Sequence, residues 1–219
     1  MASRDYRESP RLSAPPGIDP PDLGLRRAFL LERVRAHNVA SRAADGRAPR
    51  VLDVGCGEGQ LTAELERAGM TVVGVDVAAE ALSRARAGHP GLDLRIVPPE
   101  GRWPLTDSSF DVVWAGETIE HVIDTAGWLS EVRRVLRSGG TLLLSTPEHG
   151  PLALLGLALW RPAFDAHFDP RRDHLRFYTS RTLARLLADF GFEDIEVRRA
   201  GGVPGARRLL LASARRSRF

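Results

Sequence analysis

An α/β fold built on a doubly wound, mostly parallel sheet is predicted by three observations. From residue 50 to residue 146, short apolar runs rich in valine and leucine alternate with segments of helical periodicity. Such alternation implies right-handed βαβ units and a sheet covered on both faces. The first run leads into the glycine-rich turn VLDVGCGEG (51–59), which opens the next helix. The last two runs, EDIEVRR and RRLLLASAR, are joined across AGGVPGA and read as an antiparallel hairpin.

Taken in order, residues 1–21 hold Pro10, Pro15, Pro16, Pro20 and Pro21 and read as a flexible arm. A single domain is expected over 22–219. Asp22 is a suitable N-cap for a helix that turns Phe29, Leu30 and Val34 inward and ends at DGRAP (45–49). RVLDVG is the first strand; the helix after it carries Leu61, Leu65 and Ala68 at helical spacing and stops at Gly69. TVVGVD (71–76) is a strand, AAEALSRARAG a helix, and LDLRIV (92–97) and FDVVWA (110–115) are further strands. TAGWLSEVRRVLRSGG is expected to be helical, with Leu129, Val132 and Leu136 on one face and Gly139 and Gly140 closing it. TLLLST (141–146) is a buried strand, and a long irregular stretch of the kind reserved for function then reaches about residue 176. TSRTLARLLADFGF returns to helix before the hairpin, which brings the strands to seven.

Composition narrows the function. A chain of 219 residues, 43% hydrophobic and 27% charged, suits one globular domain. No apolar run is long enough to cross a bilayer, and the N-terminus carries no secretory signal, so a cytoplasmic location is expected. The single Cys56 excludes an internal disulfide and reads as a small buried filler. All 31 basic residues are arginine, which sets a high pI beside a net charge of only +3. The arginines are scattered, so a nucleic-acid partner is disfavoured and oligomeric state is left open.

In VLDVGCGEG, Gly55, Gly57 and Gly59 permit a sharp turn and close approach of a ligand to the backbone. Asp76 ends the next strand 21 positions after Gly55, where a carboxylate accepts hydrogen bonds from ribose hydroxyls. An adenosine-containing cofactor follows. The spacing is G-x-G-x-G and Asp53 lies before the loop; a carboxylate there repels a pyrophosphate and suits an ammonium, which disfavours a dinucleotide oxidoreductase.

GETIEH (116–121) follows strand FDVVWA at the carboxyl edge of the sheet, where ligands of such folds bind. Gly116 is counted with the cofactor-binding residues. If 117–121 is helical, Glu117, Glu120 and His121 stand at i, i+3 and i+4 on one face, a set suited to Mg²⁺ or Mn²⁺ ahead of Zn²⁺.

These segments, with WPLTDSSFDVVWA and LRSGGTLLLSTP, closely resemble the class I S-adenosylmethionine-dependent methyltransferases from about residue 50 onward. The resemblance implies a Rossmann-like, seven-stranded sheet with S-adenosylmethionine as cofactor and S-adenosylhomocysteine as product. It implies that the Gly55–Gly59 loop wraps the methionine part, Asp53 lies near the amino group, Asp76 holds the ribose and Val77 packs on adenine. The family often has an Asp-Ala pair after the third strand; Pro99 and Glu100 stand there, leaving Glu100 or a backbone group for that contact. E-x-x-E-H is similar to the ubiquinone-pathway O-methyltransferases and the small-RNA 2′-O-methyltransferases. In the latter, a downstream D-H-x-F-x-x-T segment completes a metal site, and DHLRFYT (173–179) nominates His174.

Two chemistries remain open: a divalent ion that activates one of two adjacent acceptor hydroxyls, or His121 or His149 as general base without metal. His149 also reads as an ordinary loop histidine, and His167 and His89 as solvated. A lid at about 147–176 is expected over the acceptor, with Trp160, Phe164 and Phe168 as an apolar wall for an aromatic or apolar small molecule. O-methylation of such a molecule leads, ahead of N-methylation, RNA 2′-O-methylation and a cofactor-binding protein without catalysis.

Overall fold

Residues 22–169, 174–203 and 206–218 are described by the computed structural model, so the arm expected at 1–21 lies outside the described residues. The chain enters through α1 (Leu23–Asp45) and alternates through β1 (Arg50–Val54), α2 (Gln60–Arg67), β2 (Thr71–Asp76), α3 (Ala79–Gly88), β3 (Asp93–Ile96), β4 (Phe110–Gly116), α4 (Thr125–Val135) and β5 (Leu136–Pro147). Two short helices, α5 (Pro151–Ala158) and α6 (Arg161–His167), precede α7 (Ser180–Asp189), β6 (Phe192–Ala200) and β7 (Leu209–Arg216). The seven strands form one sheet in the order β3-β2-β1-β4-β5-β7-β6. β1 to β5 pair in parallel, and β7 runs antiparallel between β5 and β6.

Side chains alternate across a strand, and the apolar strands feed two cores. Val112 and Trp114 of β4 pack with Phe29, Leu30 and Val34 of α1 and Leu65 of α2. Val113 and Ala115 pack on the other face with Trp128 and Leu129 of α4 and Leu183 and Leu187 of α7. Each large side chain buried this way contributes about 1.5–3 kcal/mol. At the amino end of β4, Asp111 is buried and takes a bidentate pair of 2.7 Å hydrogen bonds from Arg47, one of 2.8 Å from the Arg50 N–H and one from Arg137. That clamp ties the α1–β1 connection to the sheet.

Two expectations need correction. The fourth helix stops at Val135, and Leu136 to Gly140 already belong to β5. Leu136 pairs with Phe110, and a Cβ at Gly140 would lie 2.9 Å from the Arg137 carbonyl, so these glycines admit a close turn of strand and do not close a helix. The first helix does start after Asp22, which has φ 62°, its carbonyl accepting from Leu25 and Arg26 and its carboxylate bonded to Arg208. The stretch after β5 is largely helical, with a proline in the first turn of both α5 and α6, where the missing N–H costs nothing. Neither helix buries a residue, and Trp160 is 66% exposed. No helix among the described residues is long and apolar enough to cross a membrane.

Candidate active site

The carboxyl ends of β1, β2 and β4 bring the cofactor candidates together. The N–H groups of Gly55 and Cys56 both donate to the Val75 carbonyl, at 2.8 and 3.0 Å, which folds the loop onto β2. Gly55 has φ +75°, and a Cβ there would sit 2.5 Å from Thr118 Oγ1. Thr118 Oγ1 donates to the carbonyls of Val54 and Gly116, at 3.1 and 3.2 Å, stitching the glycine loop to the GETIEH segment. Asp76 accepts from the N–H groups of Gly57 and Ala78, at 2.9 and 2.8 Å on different oxygens. Each oxygen keeps a further lone pair.

Asp53 is buried and accepts a 2.7 Å hydrogen bond from Thr62. Burial pushes its carboxyl up to about 6, with Thr62 opposing and the Asp76 charge adding. Val77 is exposed beside this edge, as is Glu100. Cys56 is buried and its thiol is pushed up, by desolvation first and then by Asp53 and Asp76. The cleft bounded by Asp53, Gly55, Trp114 and Gly116 is also lined by Leu23 and Arg26 of α1. Arg26 is buried, and its Nε has no hydrogen-bond partner among the described residues. The sequence offers no local signal for it, because it enters the cleft from a helix packed across the sheet.

GETIEH is not the helix expected. Glu117 takes φ 51° at the end of β4, and only Ile119–His121 form a short 3-10 turn. Glu117 is instead fastened to β5: its N–H donates to the Ser145 carbonyl at 3.0 Å, and its Oε1 accepts from Ser145 Oγ at 2.9 Å. Glu120 has no exposed surface. Its Oε2 accepts from Thr146 Oγ1 at 2.9 Å, while Oε1 is buried with no hydrogen-bond partner among the described residues. His121 Nε2 lies 4.0 Å from that oxygen.

The His174 ring stands edge-on to that of His121 at 4.9 Å, drawn in by the N–H groups of Leu175 and Arg176 donating to the Glu120 carbonyl. One ligand atom each of Glu120, His121 and His174 falls within 4.8 Å of the others. Glu117 is outside that trio. Burial, then the Glu117 charge, pushes the Glu120 carboxyl up to about 8, and burial also raises Glu117. The Arg26 charge opposes both shifts.

His149 is buried, with its backbone N–H donating to the Tyr178 carbonyl at 2.8 Å. Its ring meets Phe177 at 4.8 Å and His167 at 5.4 Å, and Nδ1 has no hydrogen-bond partner among the described residues. Burial, then the neighbouring His167 and His174, lowers its pKa. His167 is therefore packed in an aromatic group with Phe168 and Phe177, not solvated as expected.

The family model described as a methyltransferase domain matches residues 26–197. The chain is 34% identical over 181 residues to a probable S-adenosylmethionine-dependent methyltransferase of Mycolicibacterium smegmatis, covering 81% of this chain and 62% of that one. It is 37% identical over 139 residues to a ubiquinone biosynthesis O-methyltransferase of Paracidovorax citrulli, covering 59% of this chain and 58% of that one. The chain thus spans about six tenths of these curated relatives. A solved S-adenosylmethionine-dependent methyltransferase of Methanosarcina mazei superposes with a TM-score of 0.59 at 26% identity, over 78% of this chain and 93% of that one.

Proposed function

The chain belongs to the class I S-adenosylmethionine-dependent methyltransferases, and on that premise we propose that it methylates an oxygen of a small molecule bearing adjacent hydroxyls, with a divalent cation at Glu120, His121 and His174. The observation that carries this reading is Glu120 Oε1, a buried carboxylate oxygen with no hydrogen-bond partner among the described residues, 4.0 Å from His121 Nε2, in a residue whose ligand atom falls within 4.8 Å of those of His121 and His174. Burying such an atom unsatisfied is costly, and a cation compensates it. The ubiquinone-pathway name of one relative supports an oxygen acceptor.

When bound, S-adenosylmethionine supplies an electrophilic methyl group, and the divalent ion lowers the pKa of a coordinated hydroxyl. Around the cofactor, Asp53 and Arg26 offer opposite charges to the ammonium and carboxylate of its amino-acid end. The Gly55, Gly57 and Gly59 backbone, with Gly116, gives close approach; Asp76 receives the ribose hydroxyls, and Val77 and Glu100 flank the adenine. Glu117 contributes a charge beside the trio without being part of it. His149 serves as the base that receives the acceptor proton. Phe164, Phe168 and Phe177 supply an apolar surface next to it, which suits an aromatic or apolar acceptor and a lid role for α5 and α6. Alignment of acceptor and donor is worth about 7–11 kcal/mol at best.

A metal-free reading draws on one observation. With its carboxyl near 8, Glu120 is neutral at pH 7, and His121 then acts as the base. A methyl-transfer panel of catechol, sugar and RNA acceptors, run with and without EDTA, separates the two. Turnover of a catechol-like acceptor that EDTA abolishes and Mg²⁺ or Mn²⁺ restores is the expected result. Turnover indifferent to EDTA sinks the cation, and preference for RNA sinks the small-molecule acceptor.

A further inference from the structure

The carboxylates of GETIEH project from one segment, but the groups that hold them belong to the neighbouring strand. Ser145 and Thr146 are consecutive in β5 and have no exposed surface. Ser145 Oγ donates to Glu117 Oε1 at 2.9 Å, and Thr146 Oγ1 donates to Glu120 Oε2 at 2.9 Å. Adjacent strand residues point to opposite faces, so a single strand reaches both carboxylates, each with its own hydroxyl. The register places Gly116 beside Ser145, which brings the turn at Glu117 directly over the pair.

The surroundings make this choice of residue informative. β5 runs through Leu142, Leu143 and Leu144 before the two hydroxyls, and its partner strand β7 presents Leu211 and Leu210 opposite them. A hydroxyl buried in such apolar company without a partner is destabilising. Ser145 and Thr146 are tolerated there because each is matched to one carboxylate. The match also decides which oxygen is left over. With Oε2 of Glu120 bound to Thr146, Oε1 is the atom turned toward His121.

We propose that Ser145 and Thr146 are positioning residues: they fix the side-chain rotamers of Glu117 and Glu120, so that Glu120 presents Oε1 in register with His121 and His174. This inference rests on the cation reading of that trio. Groups that orient ligands in this way are worth roughly 10–100-fold in metal affinity.

The test is calorimetric titration of Mn²⁺ into the full chain and into Thr146→Val, Thr146→Ser and Ser145→Ala. S-adenosylhomocysteine affinity and circular dichroism are recorded in parallel. Thr146→Val removes the hydroxyl at nearly constant volume. It is expected to weaken Mn²⁺ roughly 10–100-fold while S-adenosylhomocysteine binds as in wild type, which shows that the fold and the cofactor cleft survive. Thr146→Ser, which keeps the hydroxyl, is expected to recover most of the loss, and Ser145→Ala to weaken Mn²⁺ less than Thr146→Val does. In turnover, Thr146→Val should raise the metal concentration for half-maximal rate and leave the saturated rate close to wild type.

Wild-type Mn²⁺ affinity in Thr146→Val, alongside lost affinity in Glu120→Gln, would overturn the positioning role and leave the cation reading standing. An absence of Mn²⁺ binding in the wild-type chain would overturn the cation reading and this role with it. Equal losses for manganese and S-adenosylhomocysteine in all three variants would reduce the hydroxyls to fold stabilisers and overturn the proposal.

Discussion

Replacing Gly55 by alanine tests how the glycine loop and the GETIEH segment are joined. Gly55 sits at φ +75°, and the new Cβ would stand 2.5 Å from Thr118 Oγ1. An L-residue in the left-handed region costs roughly 1–2 kcal/mol. The hydroxyl must also swing away, and its single proton, shared between the Val54 and Gly116 carbonyls, gives up a hydrogen bond worth about 1 kcal/mol. The two effects together come to about 2–3 kcal/mol. Gly57 is the internal control: it has φ +55°, and a Cβ added there would meet nothing within 4 Å. Gly57→Ala should therefore cost only the roughly 1–2 kcal/mol of backbone strain. For a chain of this size the melting temperature should fall roughly 4–12 °C in the first case and roughly 2–8 °C in the second. Urea unfolding with an unchanged m value would confirm that stability, and not compactness, has changed. A double mutant with Thr118→Ala sharpens the test, because once the hydroxyl is gone Gly55→Ala should cost no more than Gly57→Ala. Equal losses in the two single glycine variants, or full additivity with Thr118→Ala, would refute the claim that Gly55 is there to make room for Thr118.

Three further outcomes are expected. In the metal-free protein the Glu120 carboxyl, raised from 4.5 to about 8, keeps a proton that the unfolded chain gives up. Its contribution is therefore fully present below about pH 4.5 and is lost as pH rises toward 8, by at most about 1.4 kcal/mol per pH unit. Chelated wild type should show that decline between about pH 5 and 8 in thermal melts, and Glu120→Gln should flatten it; parallel slopes would contradict the assignment. For Asp111, burial works upward, but the hydrogen bonds from Arg47, the Arg50 N–H and Arg137 prevail and hold the carboxyl well below the usual range. Its stabilisation is thus present above about pH 4 and lost on further acidification. Asp111→Asn should cost about 1–3 kcal/mol at pH 7, discounted for half-exposed guanidinium groups, in denaturant unfolding, with the gap closing below about pH 4. Arg26→Met should weaken S-adenosylhomocysteine roughly tenfold, the scale of a charge-assisted hydrogen bond, in calorimetry; unchanged affinity would remove Arg26 from the cofactor cleft.

The alternation of strands and helices and the glycine turn at the sheet edge were legible because they depend on local pattern. Valine-rich runs buried on both faces, a glycine turn after the first of them and Asp76 at the end of the second all lie between Val51 and Asp76. Residue types at the GETIEH segment were legible as well, since two carboxylates and an imidazole announce their chemistry. Their arrangement was not. Glu117 leaves the helical path because the register of β4 on β5 delivers Ser145 to it, a contact 28 positions away. Arg26, Ser145 and Thr146 escaped notice for the same reason: a helix-borne arginine and two strand hydroxyls acquire meaning only from what lies across the sheet. At 151–160 the sequence did carry a signal, a proline followed by leucines and alanines of high helix propensity, and reading that stretch as irregular passed over it. His167 shows the converse, a surface-looking histidine that packing on His149 draws inward.

The place of β7 in the sheet has a consequence for biosynthesis. Of the seven strands it is the last in the chain, yet it lies between β5 and β6. While the chain emerges from the ribosome, β1 to β5 can pair and close around the glycine loop. Through that interval the apolar edge of β5, Leu142 to Leu144, has no neighbour. An open apolar strand edge of this kind recruits strands from other chains. Completion of β7 both caps that edge and anchors β6, which pairs with no other strand of the sheet.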